Sequence, residues 1–508
     1  MWPRFGIKIG NSTLCIATVK ADANPEVIAN KQGDRVSQAC LLAEGNEIEC
    51  GLTAKQKMSS KPASCVSNSL QFFLSQSTLT PEKIQDACKY ITCYYNEGTK
   101  EFELKSKGDA DKEIITKISP HAVCVKFFQA EFELARQSYL QEFPKPSVVI
   151  SIPNYYPVES WPSLAAAAEE AGFHVAQVIS EMTAAALAYG IGEAQADDDS
   201  ERKIVLCIKS GGIYSHFTLY EVTGGLYTLI EEVGPFTIGG NQYTEALVEF
   251  VCQEFYKKYK LDPKESRRSI AKIYTAATNS KHILTSLPTT QIYIDSLMDG
   301  VDFSMQMSRA RFESLIQPVI NKFMAVLNEA VEKLFADNQN TVTKIDEIVL
   351  LGATMKIPKI QSAITSRFPE AKIHSSYAAD EVVAIGCARQ ATFLLDAEGQ
   401  DLVDKETCLF TPSDLHIWHD DAEDKLKVFL KKGSLLPSVV VVEVEKAKKE
   451  ANNTEEGEQT EVFHVKCEDA TLDFSLKATA TPEGLFKIEA NVDLNEDGVT
   501  SSIKLKCL

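Results

Sequence analysis

Over residues 1–200, short apolar runs alternate with stretches whose apolar residues recur at helical spacing, which predicts strands alternating with helices. The opening "FGIKIGNSTLCIATVK" (Phe5–Lys20) reads as strand, tight turn, strand. Ile7 and Ile9 lead into Gly10-Asn11-Ser12, and Leu14-Cys15-Ile16-Ala17 follow. "PSVVISIPNYY" is a short buried strand ending at Pro153. The helix after it, "WPSLAAAAEEAGFHV", has Pro162 at its start, where a missing N–H costs nothing, and Gly172 at its stop. "VAQVIS" predicts a strand and "MTAAALAYGIG" a helix, before the charged loop "EAQADDDSERK".

The pattern then restarts. "KIVLCIKSGGIYSHFTLYEV" (Lys203–Val222) is again strand, lysine, glycine turn, strand, with Lys209-Ser210-Gly211 corresponding to Lys8-Ile9-Gly10. A repeated βα unit predicts two like lobes facing one another, the second beginning near residue 201. Phe312, Leu315, Ile316, Val319, Ile320, Phe323, Leu327, Val331 and Leu334 are apolar at helical spacing and predict a long buried helix. "DEIVLLGATMKIPKIQSAI" predicts a strand, a glycine turn and a helix entered through Pro358. This α/β region is expected to span 1–393, with a polar linker at 394–407. From 408 to 508 strands dominate, from "LHIWHD" to "TSSIKLKCL", with a hairpin turn at Asp497-Gly498 and a solvated loop "KAKKEANNTEEGEQTE". The chain ends on a strand, so no helical tail is expected.

Composition is ordinary for a large globular chain: 508 residues, 44% apolar and 24% charged. A net charge of -19 argues against direct binding of nucleic acid or anionic membrane. Thirteen scattered cysteines without a C-x-x-C pair argue against a disulfide framework or a zinc site, and suggest reduced thiols in the cytosol. No secretory h-region opens the chain, and the apolar run at Leu435–Val442 is too short to cross a membrane. The glycine turns carry the most chemistry. Their backbone N–H groups can point at a phosphate, yet Lys8 and Lys209 stand just ahead of them.

Four segments in order resemble the seventy-kilodalton heat-shock chaperone family. "EMTAAALAYGIG" is similar to its Glu-Pro-Thr-Ala-Ala-Ala-x-Ala-Tyr-Gly stretch. "IYIDSLMDGVDFSMQMSRARFESL" is similar to the segment ending in its Arg-Ala-Arg-Phe-Glu signature. "IVLLGATMKIPKIQ" resembles its adenosine motif, and "DEVVAIGCARQA" its second connecting helix. The resemblance covers nearly the whole chain. It implies an α/β actin-like ATPase fold whose two lobes close over ATP, then an all-β sandwich for extended peptide, here without the helical lid. That points to the short, atypical, ribosome-associated branch.

In the family each phosphate hairpin carries a magnesium-organising aspartate, and those positions fall on Lys8 and Lys209. A third carboxylate falls on His216 and the catalytic lysine on Leu70. Ile213 and Tyr214 replace a glycine and a threonine of the second loop, while Glu181 is retained. No catalytic residue and no metal ligand set is expected. Lysine cannot hold magnesium but can neutralise phosphate oxygens. Two readings follow: both lysines stand in for the metal electrostatically, or both pair with Glu181 in a closed cleft. Gly10, Asn11, Ser12, Gly211 and Gly212 complete the phosphate turns. The resemblance adds Gly239, Gly240, Lys281, Thr285, Gly352, Ala353, Lys356 and Asp380 on the nucleoside side, with His282 in place of a base-stacking arginine.

The implied function is a weakly hydrolysing or non-hydrolysing chaperone subunit that binds ATP with little need for magnesium. Its implied partners are a J-domain cochaperone, the ribosome through that partner, nascent or unfolded polypeptides, and other heat-shock chaperones. The alternative is an autonomous ATP-driven chaperone. A nucleotide-exchange factor of this family would carry long acidic insertions and helical tails, and a sugar kinase on the same fold would lack the β segment.

Overall fold

The computed structural model describes residues 4–19, 24–44, 47–58, 60–74, 93–107, 113–138, 145–154, 156, 160–191, 202–223, 226–337, 344–394 and strands between 415 and 507. The acidic loop from 193, the linker from 395, the loop 446–458 and the Asp497-Gly498 turn lie outside the described residues. The chain divides into one unit at Met1–Gln400 and another at Asp401–Leu508.

In the first unit, one sheet contains β1 (Arg4–Ile9), β2 (Thr13–Val19), β3 (Pro25–Val27), β4 (Ser147–Ile152) and β5 (His174–Ser180), in the order β5-β4-β1-β2-β3. The second contains β6 (Lys203–Ser210), β7 (Ser215–Thr223), β8 (Leu226–Phe236), β9 (Glu347–Leu351) and β10 (Lys372–His374), in the order β8-β7-β6-β9-β10. The directions also match. Each lysine-bearing strand is antiparallel to its hairpin partner and parallel to the strand on its other side. The repeat read from Lys8 and Lys209 is therefore a duplicated five-strand unit. Every residue of β4 and β9 is buried, as parallel strands covered on both faces require.

The helices used below are α1 (Leu52–Lys57), α2 (Leu70–Leu74), α3 (Pro120–Ser138), α4 (Trp161–Glu170), α5 (Glu181–Ala188), α6 (Gly240–Tyr259), α7 (Arg267–Ser286), α8 (Arg309–Asp337), α9 (Pro358–Arg367) and α10 (Val382–Leu394). The expected helix at Pro162 is α4, and Gly172 follows it at φ +112°. The expected long helix is α8. Its Phe312, Ile316, Ile320, Phe323, Leu327, Val331 and Leu334 are buried, while Leu315 and Val319 pack at the margin.

Between the sheets lie α5 and α10, held close by small side chains. A Cβ added at Gly386 would fall 1.6 Å from the Ala184 carbonyl oxygen, and one at Gly6 would fall 2.1 Å from the Ala388 nitrogen. The core around this crossing takes Cys15, Ala17 and Val149 from the first sheet and Val205, Cys207 and Val349 from the second.

Helix α3 places Glu131 in the interior of the first lobe, 1% exposed, with the Ser37 hydroxyl nearby but no full hydrogen bond to either carboxylate oxygen. Burial pushes this carboxyl up to about 7 from 4.5, the Ser37 hydroxyl opposing. A carboxyl raised on folding destabilises only when ionised. The cost is absent below the unfolded value, grows as pH rises, and is complete above the folded value, on the order of 3 kcal/mol. Glu131→Gln should therefore raise the thermal midpoint at pH 8 and leave it nearly unchanged at pH 5. An equal effect at both pH values would refute an ionised buried Glu131.

The second unit is described by seven antiparallel strands: β11 (Leu415–His419), β12 (Lys427–Leu430), β13 (Ser438–Glu445), β14 (Gln459–Cys467), β15 (Ala470–Ala478), β16 (Leu485–Leu494) and β17 (Ser501–Cys507). They form sheets ordered β12-β11-β14-β15 and β13-β16-β17. Leu415 and Ile417, Phe463 and Val465, and Ile488 and Ala490 are buried at alternate positions. Among the described residues no helix is long and apolar enough to cross a membrane.

Candidate functional site

The two glycine turns close in the same way. The Gly10 N–H donates to Thr13 O at 3.0 Å, and the Gly211 N–H donates to Tyr214 O at 2.9 Å. They also face each other: a Cβ at Gly212 would lie 2.8 Å from Ser12 Oγ. Asn11 ties the first turn to α2, its Oδ1 accepting the Gln71 N–H at 3.0 Å. The second turn is tied to α6, because the Gly240 and Asn241 N–H groups donate to Gly211 O and Gly212 O, each at 2.8 Å.

Between the turns is a cleft of about 240 Å³. Lys8, Lys55, Lys209 and Lys281 line it, and Glu181 is the one carboxylate among the described lining residues. The Lys8 ammonium donates to Thr13 Oγ1 at 2.7 Å and Thr13 O at 3.3 Å, so it folds over its own hairpin. Lys209 donates to Glu181, the first residue of α5, and the pair is buried. Burial lowers the Lys209 ammonium from its ordinary value. Glu181 opposes that shift, and Lys8 adds to it.

The opposite wall comes from α6, α7 and the turn after β9. Lys281 is 8% exposed, and its Nζ donates to Gly240 O at 2.7 Å and Thr244 Oγ1 at 2.9 Å. Burial, then repulsion from Lys55, lowers it to about 7. The His282 ring is lowered to about 4 by burial and then by Lys281, which keeps it neutral at neutral pH. Thr285 and Ala353 also line the wall. Gly352 holds φ +90°, and a Cβ there would lie 2.3 Å from Ser210 O, so glycine is required. Thr354 Oγ1 donates to Gly211 O at 2.8 Å and fixes this turn against the second hairpin.

The remaining expected residues stand outside the lining. Gly239 backs the second turn, where a Cβ would lie 2.7 Å from the Ile213 carbonyl carbon. Lys356 and Asp380 form an ion pair at 3.3 Å. Leu70 belongs to the apolar core of the first lobe. His216 is 1% exposed, and its Nε2 meets Glu232 Oε1 at 2.9 Å. Reading the sequence missed Lys55 and Thr354. Lys55 had no local signal to separate it from Lys57, which pairs with Glu44 on the surface. Thr354 directly follows the Gly352-Ala353 pair and was within reach.

Residues 4–504 match the family described as Hsp70 protein. The chain belongs to the Hsp70 family. Heat shock 70 kDa protein 14-B of Xenopus laevis is 32% identical over 442 residues, covering 85% of this chain and 83% of that one. Heat shock 70 kDa protein 14 of Homo sapiens is 33% identical over 398 residues, covering 78% and 74%. The Bos taurus protein of the same name is 30% identical over 439 residues, covering 85% and 83%. Membership in Hsp70 brings the two-lobed actin-like ATPase fold, an adenine nucleotide between the lobes, and a general capacity to bind unfolded polypeptides and cochaperones. The paired turns, the glycines at points of close approach and the buried lysines fit such a nucleotide. They do not fit the magnesium ion that usually accompanies it. Both hairpin positions carry ammonium groups, and the Glu181 carboxylate is taken up by Lys209.

Proposed function

We propose that this Hsp70 protein is an ATP-binding chaperone subunit that holds the phosphates with lysines in place of a metal ion and turns ATP over very slowly or not at all. The observation that carries the reading is the composition of the cleft: four lysines against one carboxylate among its described lining residues, in a chain of net charge -19. Phosphoryl transfer depends on positioning and on charge stabilised in the transition state, with little covalent help from protein. Among the described lining residues no carboxylate remains unengaged to orient a metal and an attacking water, and Leu70 leaves no lysine at the position aligned with the family's catalytic one. The bound nucleotide is then a structural ligand that closes the lobes.

The second unit, with its two antiparallel sheets and alternating apolar residues, is read as a β-sandwich for extended polypeptide. The partner is read as a ribosome-bound J-domain cochaperone in the cytosol, with nascent chains as clients and other Hsp70 proteins beside it. The acidic balance of this chain leaves ribosome contact to a basic partner.

Two measurements on the full chain test the reading. Steady-state turnover should stay at background, and calorimetric ATP affinity should survive a magnesium chelator. Magnesium-dependent turnover that cleft substitutions abolish, or loss of affinity in chelator, would overturn it. Purification from cytosol should recover ribosomes and a J-domain protein.

A further inference from the structure

Strand Cys40–Glu44 pairs antiparallel with strand Cys65–Ser67 in the register Cys40↔Ser67, Leu41↔Val66, Leu42↔Cys65. Cys40 and Cys65 are therefore diagonal neighbours on one face. With Leu42, Ala54 and Met58 they form a small core of their own against α1. The Cys65 S–H donates to Ala54 O at 3.6 Å and also lies within hydrogen-bond reach of Cys40 Sγ. This core meets the cleft at one end, because Cys40 and Lys55 both line it. No disulfide joins any of the described cysteines.

We propose that Cys40 and Cys65 are a buried, reversible peroxide-sensitive dithiol bordering the cleft, in which Cys40 attacks and Cys65 resolves. The Cys40 thiolate attacks one oxygen of hydrogen peroxide; an S–O bond forms, the O–O bond breaks, and the leaving hydroxide takes a proton to become water. Cys65 sulfur then attacks Cys40 sulfur. The S–S bond forms, the S–O bond breaks, and hydroxide leaves with the Cys65 proton as a second water. The two thiols lose two electrons and two protons, and one peroxide becomes two waters.

One geometric observation sets the order of attack, and the electrostatics point the same way. Cys40 borders the cleft and Cys65 does not. The Cys65 hydrogen bond, and then the Lys55 ammonium, hold the Cys40 thiol below its ordinary range against burial. The same hydrogen bond, and then burial, push the Cys65 thiol up. The neighbouring Cys50 is pushed up by burial to about 12 and is a poor competitor. Diagonal partners in an antiparallel pair stand about 7–8 Å apart at Cα, beyond the roughly 7 Å that a disulfide spans without backbone movement. Closure therefore draws this sheet edge together and moves α1, which carries Lys55 on the cleft wall. A bond made under such strain is readily reduced.

The test treats the reduced full chain with hydrogen peroxide, quenches by alkylation and maps peptides without reduction. A Cys40–Cys65 cross-link that dithiothreitol reverses is expected. Cys65→Ser should leave a sulfenic acid on Cys40 that dimedone labels, and Cys40→Ser should slow oxidation of Cys65 at least tenfold. Cys40→Ala and Cys65→Val repeat both arms if a serine variant does not fold. Cross-linking of either thiol to Cys50 or another cysteine, equal oxidation of Cys65 without Cys40, or oxidation of other cysteines with none of this cross-link would each overturn the proposal.

Discussion

Lys209→Ala should weaken ATP binding at least tenfold and lower the stability of the chain by about 3–5 kcal/mol. The two effects have different origins. With Lys209 present, the Glu181 carboxylate is buried and paired; without it, a 2%-exposed carboxylate stands at the cleft with Lys8 as the nearest hairpin cation. The stability loss arises from that stranded charge. The affinity loss arises from one charge-assisted phosphate contact, roughly 1.5–3 kcal/mol, where 1.4 kcal/mol is one decade in affinity. Lys8→Ala separates the two, since Lys8 donates to Thr13 and strands no carboxylate when removed. It should cost affinity with little loss of stability. In Lys8→Asp with Lys209→Asp, ATP affinity should become magnesium-dependent, while turnover stays absent because Leu70 and Tyr214 remain. The readouts are calorimetric affinity with and without chelator, and urea midpoints for each variant. If Lys209→Ala keeps wild-type affinity while losing stability, Lys209 serves Glu181 alone and the cleft is locked by that pair.

The Lys209–Glu181 pair also marks where the sequence stopped being readable. Both lysines were visible as anomalies ahead of glycine turns, and the duplication they mark is present as a shared five-strand order in two sheets, the first with a further strand, Ser37–Gln38. Pairing with Glu181 was one of two readings for both lysines, and the structure shows it for Lys209 but not for Lys8. Glu181 is distant in sequence and reaches Lys209 only because α5 is packed between the sheets. The equivalent Lys8 has no such acid and turns onto Thr13. Leu70 and His216 show a related limit. Alignment assigns a position but not a direction. An apolar side chain at the position of a catalytic lysine goes to the core, and an imidazole beside Glu232 goes to that carboxylate. Lys55 was missed because its role depends on α1 lying against the cleft wall, a tertiary fact with no periodic signature. The β strands of the second unit were legible because alternation is a local property, as was α8 with its helical period.

The second large effect is expected at Gly386, where two helices meet backbone to backbone. Gly386→Ala should destabilise the chain by about 1–3 kcal/mol and Gly386→Val by more. On propensity alone the alanine change would favour α10 by about 1 kcal/mol. Contact decides otherwise, because the atom met at 1.6 Å is the Ala184 backbone oxygen, which no side-chain rotation can move away. The helices must separate, and with them the apolar seam that joins the sheets. The damage should extend to the cleft, since α5 begins at Glu181 and its displacement shifts the carboxylate that Lys209 holds. ATP affinity should therefore fall in Gly386→Val at temperatures where the chain remains folded. Gly98→Ala is the control, because its added Cβ meets only the Asn96 side-chain oxygen at 3.3 Å. It should be near neutral in both assays. Urea denaturation and calorimetry on the three variants check the argument. A Gly386→Ala midpoint at or above wild type would show that the α5–α10 crossing yields without cost.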